Sequence, residues 1–207
     1  IALNEDYDKF NKILNDLKKT PKSEQNDDCY IFSLLNHHLL SKRIYDAAPT
    51  INYHEGPLDN TKIRTRYRGV YAPSWLLYFN SQNKTNEKDQ FTITWHLIDK
   101  TIDNGPILLS SEIIEIENHD TAYKLSLKAL ERAKKTFSEL VGNKDAFKEC
   151  IKTASSKSCN KGYLIQRRHK LPGNGVINFS ETIETIASIF RALTLSDKTP
   201  NYLGLNK

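Results

Sequence analysis

The segment CYIFSLLNHHLLSKRIYDAAPTINYH, residues 29–54, contains two apolar runs separated by a stretch with helical character. Residues 29–35 form a nearly continuous apolar run, which is typical of a strand buried on both faces of a parallel sheet. Residues 39–48 predict a short helix that ends near Pro49, and residues 50–54 predict the next strand. A strand, a helix and a strand in this order favour an α/β fold.

The chain continues this alternation of helices and strands up to residue 141. Because strands alternate with helices, we predict an α/β sheet that is mostly parallel and has an antiparallel edge. The clearest helix covers residues 119–142, with Asp120 or Thr121 as its N-cap and Gly142 at its end. The other predicted elements are helices over 6–19 and 70–80 and strands over 91–98 and 107–116.

The residues after 142 predict a small C-terminal extension or subdomain, residues 143–207, beside a main domain of residues 1–142. Residues 144–162 are polar and partly linker-like, whereas residues 180–195 predict a capped helix. The chain contains no methionine and begins IALNEDYDKF, so we expect it to be a piece of a longer product.

Composition bounds the possible partners. With 38% apolar residues, 27% charged residues and a net charge of +5, the 207-residue chain can bury a core and does not predict nucleic-acid binding. Its cysteines, Cys29, Cys150 and Cys159, lack metal-ligand spacing and are interpreted as reduced thiols of a cytoplasmic protein. No apolar run is long enough to cross a membrane, and no signal peptide is evident.

Two polar side chains end the strand over residues 50–54. Asn52 and His54 are two residues apart, so they share one face of the strand, and ligands of α/β sheets bind at such carboxyl ends. Asp103 lies in a turn after another predicted strand, and the Gly56-Pro57 loop could carry a lid over both motifs. Asn52 and His54 could instead cap the sheet edge, and Asp103 could be a plain turn residue. His96 is predicted to be a hydrogen-bonded core histidine that could face this site.

These motifs, taken in order, resemble the formyltransferase family that uses 10-formyltetrahydrofolate. The family shares an N-x-H strand end, a loop that leads to an R-G or A-G turn, and a D-x-G turn followed by I-L. The segments that match are INYHEGPL, RYRGVYAPSW, TITWH, IDNGPILL and NHDTAYKLSLKA. The similarity begins at Asp28, and GPL, APSW and TWH are most similar to formyltransferase domains of nonribosomal peptide synthetases. It implies a Rossmann-like sheet of the formyltransferase type that lacks the N-terminal part of the fold.

The resemblance also assigns roles to individual residues. An amide donor suits the oxyanion formed when an amine attacks a formyl carbon, and the resemblance gives this role to Asn52. It gives acid-base catalysis to His54, and the orientation of that imidazole and proton handling to Asp103. No metal is implied. For the folate-binding residues, it implies the set Leu34, Asn36, Leu39 and Asp99.

The activity implied by this resemblance is transfer of a formyl group from 10-formyltetrahydrofolate to a primary amine. An aminoacyl group on a carrier protein in nonribosomal peptide synthesis is the expected acceptor. The alternatives are methionyl-tRNA formylation, hydrolysis of the formyl-folate, and a module that binds folate or a partner without catalysis.

Overall fold

A computed structural model describes most of the chain and defines its strands and helices. The described residues are 9, 11–13, 15–16, 29–36, 39–58, 67–82, 89–155, 165–166 and 171–197. The strands are β1 (Ile31–Ser33), β2 (Thr50–His54), β3 (Arg68–Gly69), β4 (Thr94–Leu97), β5 (Ile107–Ser110) and β6 (Ile165–Gln166). The helices are α1 (Lys42–Tyr45), α2 (Ala72–Gln82), α3 (Ala122–Val141), α4 (Lys144–Ser155) and α5 (Ile183–Leu193), with a 3₁₀ turn at Pro172–Gly175.

The main sheet has four strands in the order β1-β2-β4-β5. β1 and β2 pair in parallel, and the β2-β4 and β4-β5 pairs are antiparallel. β3 and β6 form a separate parallel pair. The predicted α/β fold with an antiparallel edge is confirmed, and two of the three pairs in the described four-stranded sheet are antiparallel.

The core lies between one face of the main sheet and the helices α3 and α4. Trp95 of β4 packs against Phe137 of α3, with ring centroids 5.6 Å apart. Phe32 of β1 contacts Phe137 and also Phe147 of α4, at 5.2 and 6.1 Å. The apolar side chains of β2 and β4 therefore face α3, which leaves Asn52 and His54 on the opposite face.

Over residues 144–155 the structure has helix α4, so the prediction of a partly linker-like segment is wrong for these residues. Residues 156–162, the rest of that predicted segment, lie outside the described residues. Phe147, Ile151 and Ala154 are buried and recur at helical spacing, and they belong to the same apolar cluster as the sheet. The charged residues between them obscured this pattern. Residues beyond 142 thus share the core, and the predicted boundary at residue 142 stays a prediction.

Helix α5 has the predicted cap and packs along α2. The Thr182 side chain accepts a hydrogen bond from the backbone N–H of Thr185 at 3.3 Å, as an N-cap residue should.

At the other end of the chain, residues 9, 11–13 and 15–16 are helical within the predicted helix over 6–19. The rest of that helix, and the segment 198–207, lie outside the described residues. In the part of the chain that the structure describes, no helix is long and apolar enough to cross a membrane.

One buried hydrogen bond tests this arrangement of α3 on the sheet. The Trp95 indole N–H donates to Thr136 Oγ1 at 2.9 Å. We expect Thr136→Val to lower the free energy of unfolding by about 1–3 kcal/mol, because it leaves a buried N–H without an acceptor. Urea denaturation measures this change. Thr136→Ser, which keeps the hydroxyl, is the matched control, and a Val variant as stable as the Ser variant would contradict the packing described here.

Candidate active site

Strands β2 and β4 bring three polar side chains together on the face of the sheet opposite the core. The antiparallel register places Asn52 beside His96 and His54 beside Thr94. The Asn52 amide nitrogen lies 3.2 Å from His96 Nε2. The His54 and His96 rings are 6.5 Å apart, with their planes nearly perpendicular. Asn52, His54 and His96 therefore form one cluster.

Asp103 completes this cluster from the turn between β4 and β5. Its carboxylate lies 3.6 Å from His54 Nδ1 through Oδ2 and 3.5 Å from His96 Nε2 through Oδ1. The Gly69 backbone N–H donates to Oδ2 at 2.6 Å. Asp103 itself has a φ of +46°, an uncommon conformation for a residue other than glycine and one that is found at functional sites. The structure thus brings Asn52, His54 and Asp103 together, and their catalytic roles stay predictions.

The hydrogen bonds around the two imidazoles assign their tautomers. His54 Nε2 lies 2.8 Å from the Tyr67 carbonyl, so that nitrogen carries a hydrogen and Nδ1 faces Asp103. His96 Nδ1 lies 2.8 Å from the Leu97 carbonyl, so Nδ1 donates there and Nε2 accepts from the Asn52 amide. His54 Nδ1 is therefore a basic nitrogen beside a carboxylate. If it takes up a proton, it becomes the cation of an ion pair.

Burial and charge act in opposite directions on this pair. Burial lowers the pKa of His54 below its ordinary value, and the Asp103 carboxylate opposes that change while His96 and Arg68 add to it. Burial acts to raise the pKa of Asp103. The charge that His54 carries when it is protonated, together with the His96 imidazole and the Gly69 N–H, outweighs burial and holds this pKa well below the usual range. Near neutral pH the site therefore contains a carboxylate and a neutral His54.

A cavity of about 600 Å³ opens on this cluster. This volume is within the range of small-molecule sites. Asn52, His54, His96 and Asp103 line it. Three of the predicted folate-binding residues, Asn36, Leu39 and Asp99, line the same cavity. Leu34 does not: it lines a second cavity, which lies between the sheet and α3.

The loop after β2 is packed against residues of this site. Gly56, Pro57 and Leu58 are buried, and Thr94 Oγ1 donates to the Gly56 carbonyl at 2.9 Å. A Cβ added at Gly56 would lie 3.0 Å from the Ala72 Cβ and 3.1 Å from His54 Nε2. Residues 56–58 are therefore packed beside the imidazole. The prediction that the Gly56-Pro57 loop could carry a lid stays a prediction, because residues 59–66 lie outside the described residues.

Within the described residues, the group of side chains close enough to hold a metal ion lies outside this cavity. Glu117, His119 and Asp120 have ligand atoms within 4.8 Å of one another. The Lys128 ammonium lies 2.9 Å from Glu117 Oε2 and 2.7 Å from Asp120 Oδ2. A lysine cation thus already forms ion pairs with both carboxylates, and we interpret the group as part of the turn before α3.

Among solved structures, this chain is similar in fold to N-formyltransferases. A 4-N formyltransferase from Francisella tularensis is 16% identical, with a TM-score of 0.62 over 82% of this chain and 62% of its own. A sugar N-formyltransferase from Shewanella sp. FDAARGOS_354 is 16% identical, with a TM-score of 0.60 over 82% of this chain and 61% of its own. No protein-family model matches the chain, and no curated protein sequence matches it.

An N-formyltransferase from Helicobacter canadensis is also similar, and its crystal structure contains folinic acid and dTDP-3-aminofucose. It is 22% identical, with a TM-score of 0.55 over 78% of this chain and 54% of its own. This chain spans between half and two thirds of the length of these three proteins. At such identities the likeness establishes the fold. The Rossmann-like formyltransferase fold expected from the sequence is confirmed.

Sequence reasoning left the place of His96 open. The residue is in register with Asn52, accepts a hydrogen bond from its amide, and lies 3.5 Å from Asp103. The available indication was that His96 and Thr94 are polar and alternate with the apolar Trp95 and Leu97. The strand register that brings it to Asn52 cannot be read from one sequence.

The lowered pKa of His54 predicts a pH dependence of stability. A histidine whose folded pKa is below its unfolded value stabilises the fold above about pH 6.5, and this contribution is lost as the pH falls below that value. His54→Asn should therefore reduce the slope of unfolding free energy against pH between pH 5 and 7, by up to about 1.4 kcal/mol per pH unit.

Urea denaturation at a series of pH values measures this slope. His119→Asn is the matched control, because it also removes an imidazole, but at a residue that is 67% exposed and outside the site. Equal slopes in the His54 variant and the parent would contradict a buried, neutral His54.

Proposed function

We propose that this chain carries the active site of an N-formyltransferase that moves a formyl group from 10-formyltetrahydrofolate to a primary amine. The observation that carries the proposal is the Asp103 carboxylate between His54 and His96, next to the Asn52 amide, on the wall of the 600 Å³ cavity. The cavity belongs to a fold that N-formyltransferases share.

The Asn52 amide is placed to stabilise the oxyanion of this reaction. When an amine attacks the formyl carbon, negative charge develops on the formyl oxygen. The Asn52 amide has two hydrogens, and His96 Nε2 accepts one of them, so the other can donate to that oxygen. His96 thereby orients the amide. This assigns Asn52 to stabilisation of the oxyanion.

His54 then handles the proton that the amine loses. Its Nδ1 is the basic nitrogen, and the Asp103 carboxylate at 3.6 Å stabilises the imidazolium that forms. The Tyr67 carbonyl fixes the ring through Nε2 at 2.8 Å. The same Nδ1 can return the proton to the departing folate nitrogen, which closes the cycle with His54 neutral.

For the acceptor we propose an aminoacyl group held on a carrier protein. The support is the amino-acid sequence of the motifs GPL, APSW and TWH, which is most similar to that of formyltransferase domains of nonribosomal peptide synthetases. A second candidate is an amino sugar joined to a nucleotide. The similar protein from Helicobacter canadensis, with dTDP-3-aminofucose in its crystal structure, favours this candidate.

The activity is tested with the full chain and 10-formyltetrahydrofolate, by following tetrahydrofolate formation in the presence of each acceptor class. Because the proton transfers and the charge of the imidazolium depend on them, we expect His54→Gln and Asp103→Asn to lower kcat by about 10²–10⁴. His119→Gln is the control and should keep full activity. Normal turnover by both site variants would contradict the proposal.

Binding of folinic acid, measured by calorimetry, separates the remaining alternatives. A chain that binds folinic acid but transfers no formyl group to either acceptor would be a binding module instead. Release of formate without any amine would indicate a hydrolase. RNA binding that weakens steeply with salt would indicate a tRNA substrate.

A further inference from the structure

Helix α5 has an apolar stripe on its exposed side. Ile183 and Phe190 are 81% and 48% exposed, and Ala187 between them is also exposed. Their spacing of four and three residues places all three on one face of the helix. Phe179, in the turn before the helix, is also 81% exposed. Exposed apolar side chains in a contiguous group, unlike single ones, mark an interaction surface.

This stripe is separate from the side of α5 that stabilises the fold. Ile189, Ala192 and Leu193 are buried on the other side of the helix, which packs along α2. The helix therefore has two apolar faces, of which the fold uses one. A helix that only packs on the core needs one apolar face, and its opposite face would be polar.

The charges beside the stripe define what fits it. Glu184 and Arg191 are seven residues apart, which is nearly two turns, so they flank the stripe on the same side about 10 Å apart. Glu184 is near the start of the helix and Arg191 near its end. A second α5 that runs antiparallel places its own Arg191 beside this Glu184, and its Glu184 beside this Arg191. The stripe is therefore complementary to itself.

We propose that this stripe is the interface of a homodimer in which the α5 helices of two copies pack antiparallel about a two-fold axis at Ala187. The axis brings Ile183 of each copy against Phe190 of the other. Alanine at the crossing point allows the two helices to approach closely. Arg191 is held in place, since its Nη1 donates to the Asn118 carbonyl at 2.9 Å, and a guanidinium has further N–H groups for Glu184. Such an isologous contact is the usual form of a dimer.

This inference is independent of the proposed function, because none of these residues lines the 600 Å³ cavity. An interface of one helix pair is small, so the association should be weak. Sedimentation equilibrium of the full chain at loadings from about 10 μM to about 1 mM should show a monomer-dimer equilibrium. A chain that stays monomeric over this range would overturn the proposal. The stripe would then be covered by another segment or by a different protein.

Two sets of variants test the geometry. Glu184→Arg places like charges together and should weaken dimerisation about tenfold, and adding Arg191→Glu should restore it. Thermal melts verify that each variant is folded. A dimer unaffected by Glu184→Arg would overturn the antiparallel arrangement.

Disulfide trapping tests the axis without changing a charge. Two copies of Ala187→Cys meet at the axis, so mild oxidation should yield a covalent dimer above the level of the parent chain. Ser180→Cys, which is exposed but about 20 Å from its counterpart in this arrangement, should not. Equal trapping at both positions would overturn the proposal.

Discussion

The contact of the Asp103 carboxylate with two imidazoles is the constraint on which the rest of the site depends. Without the Gly69 N–H and the two histidines, burial would favour the neutral acid. With them, Asp103 remains charged and His54 keeps a carboxylate partner for its basic nitrogen. This arrangement requires the turn between β4 and β5 to adopt a positive φ at Asp103. The geometry of the turn and the charge of the site are therefore inseparable.

The antiparallel pairing of β2 with β4 serves this constraint. In a register shifted by one residue, His96 would lie on the core face and Trp95 on the cavity face. The hydrogen bond of the Trp95 indole to α3, together with the aromatic contacts of Trp95, opposes such a shift. The core on one face of the sheet thus determines the position of the polar cluster on the other.

Much of this could be predicted from sequence, and the failures have physical causes. The period-two pattern placed Asn52 and His54 together, because side-chain direction along a strand is a local property. Bringing Asp103 to them required the order of several motifs, since no local rule joins residues 49 positions apart. Helix α4 was missed because charged residues separate its buried side chains. The burial of Gly56, Pro57 and Leu58 could not be predicted, because turn-forming residues indicate conformation and not packing.

The central claim is that Asp103 acts electrostatically on His54 across the 3.6 Å contact. NMR titration of the histidine ring nitrogens in the parent chain and in Asp103→Asn tests it most directly. The account predicts that His54 titrates below the ordinary histidine range in the parent, and at a still lower pH once the carboxylate is removed. A His54 pKa that is unchanged or higher in the variant would contradict the account.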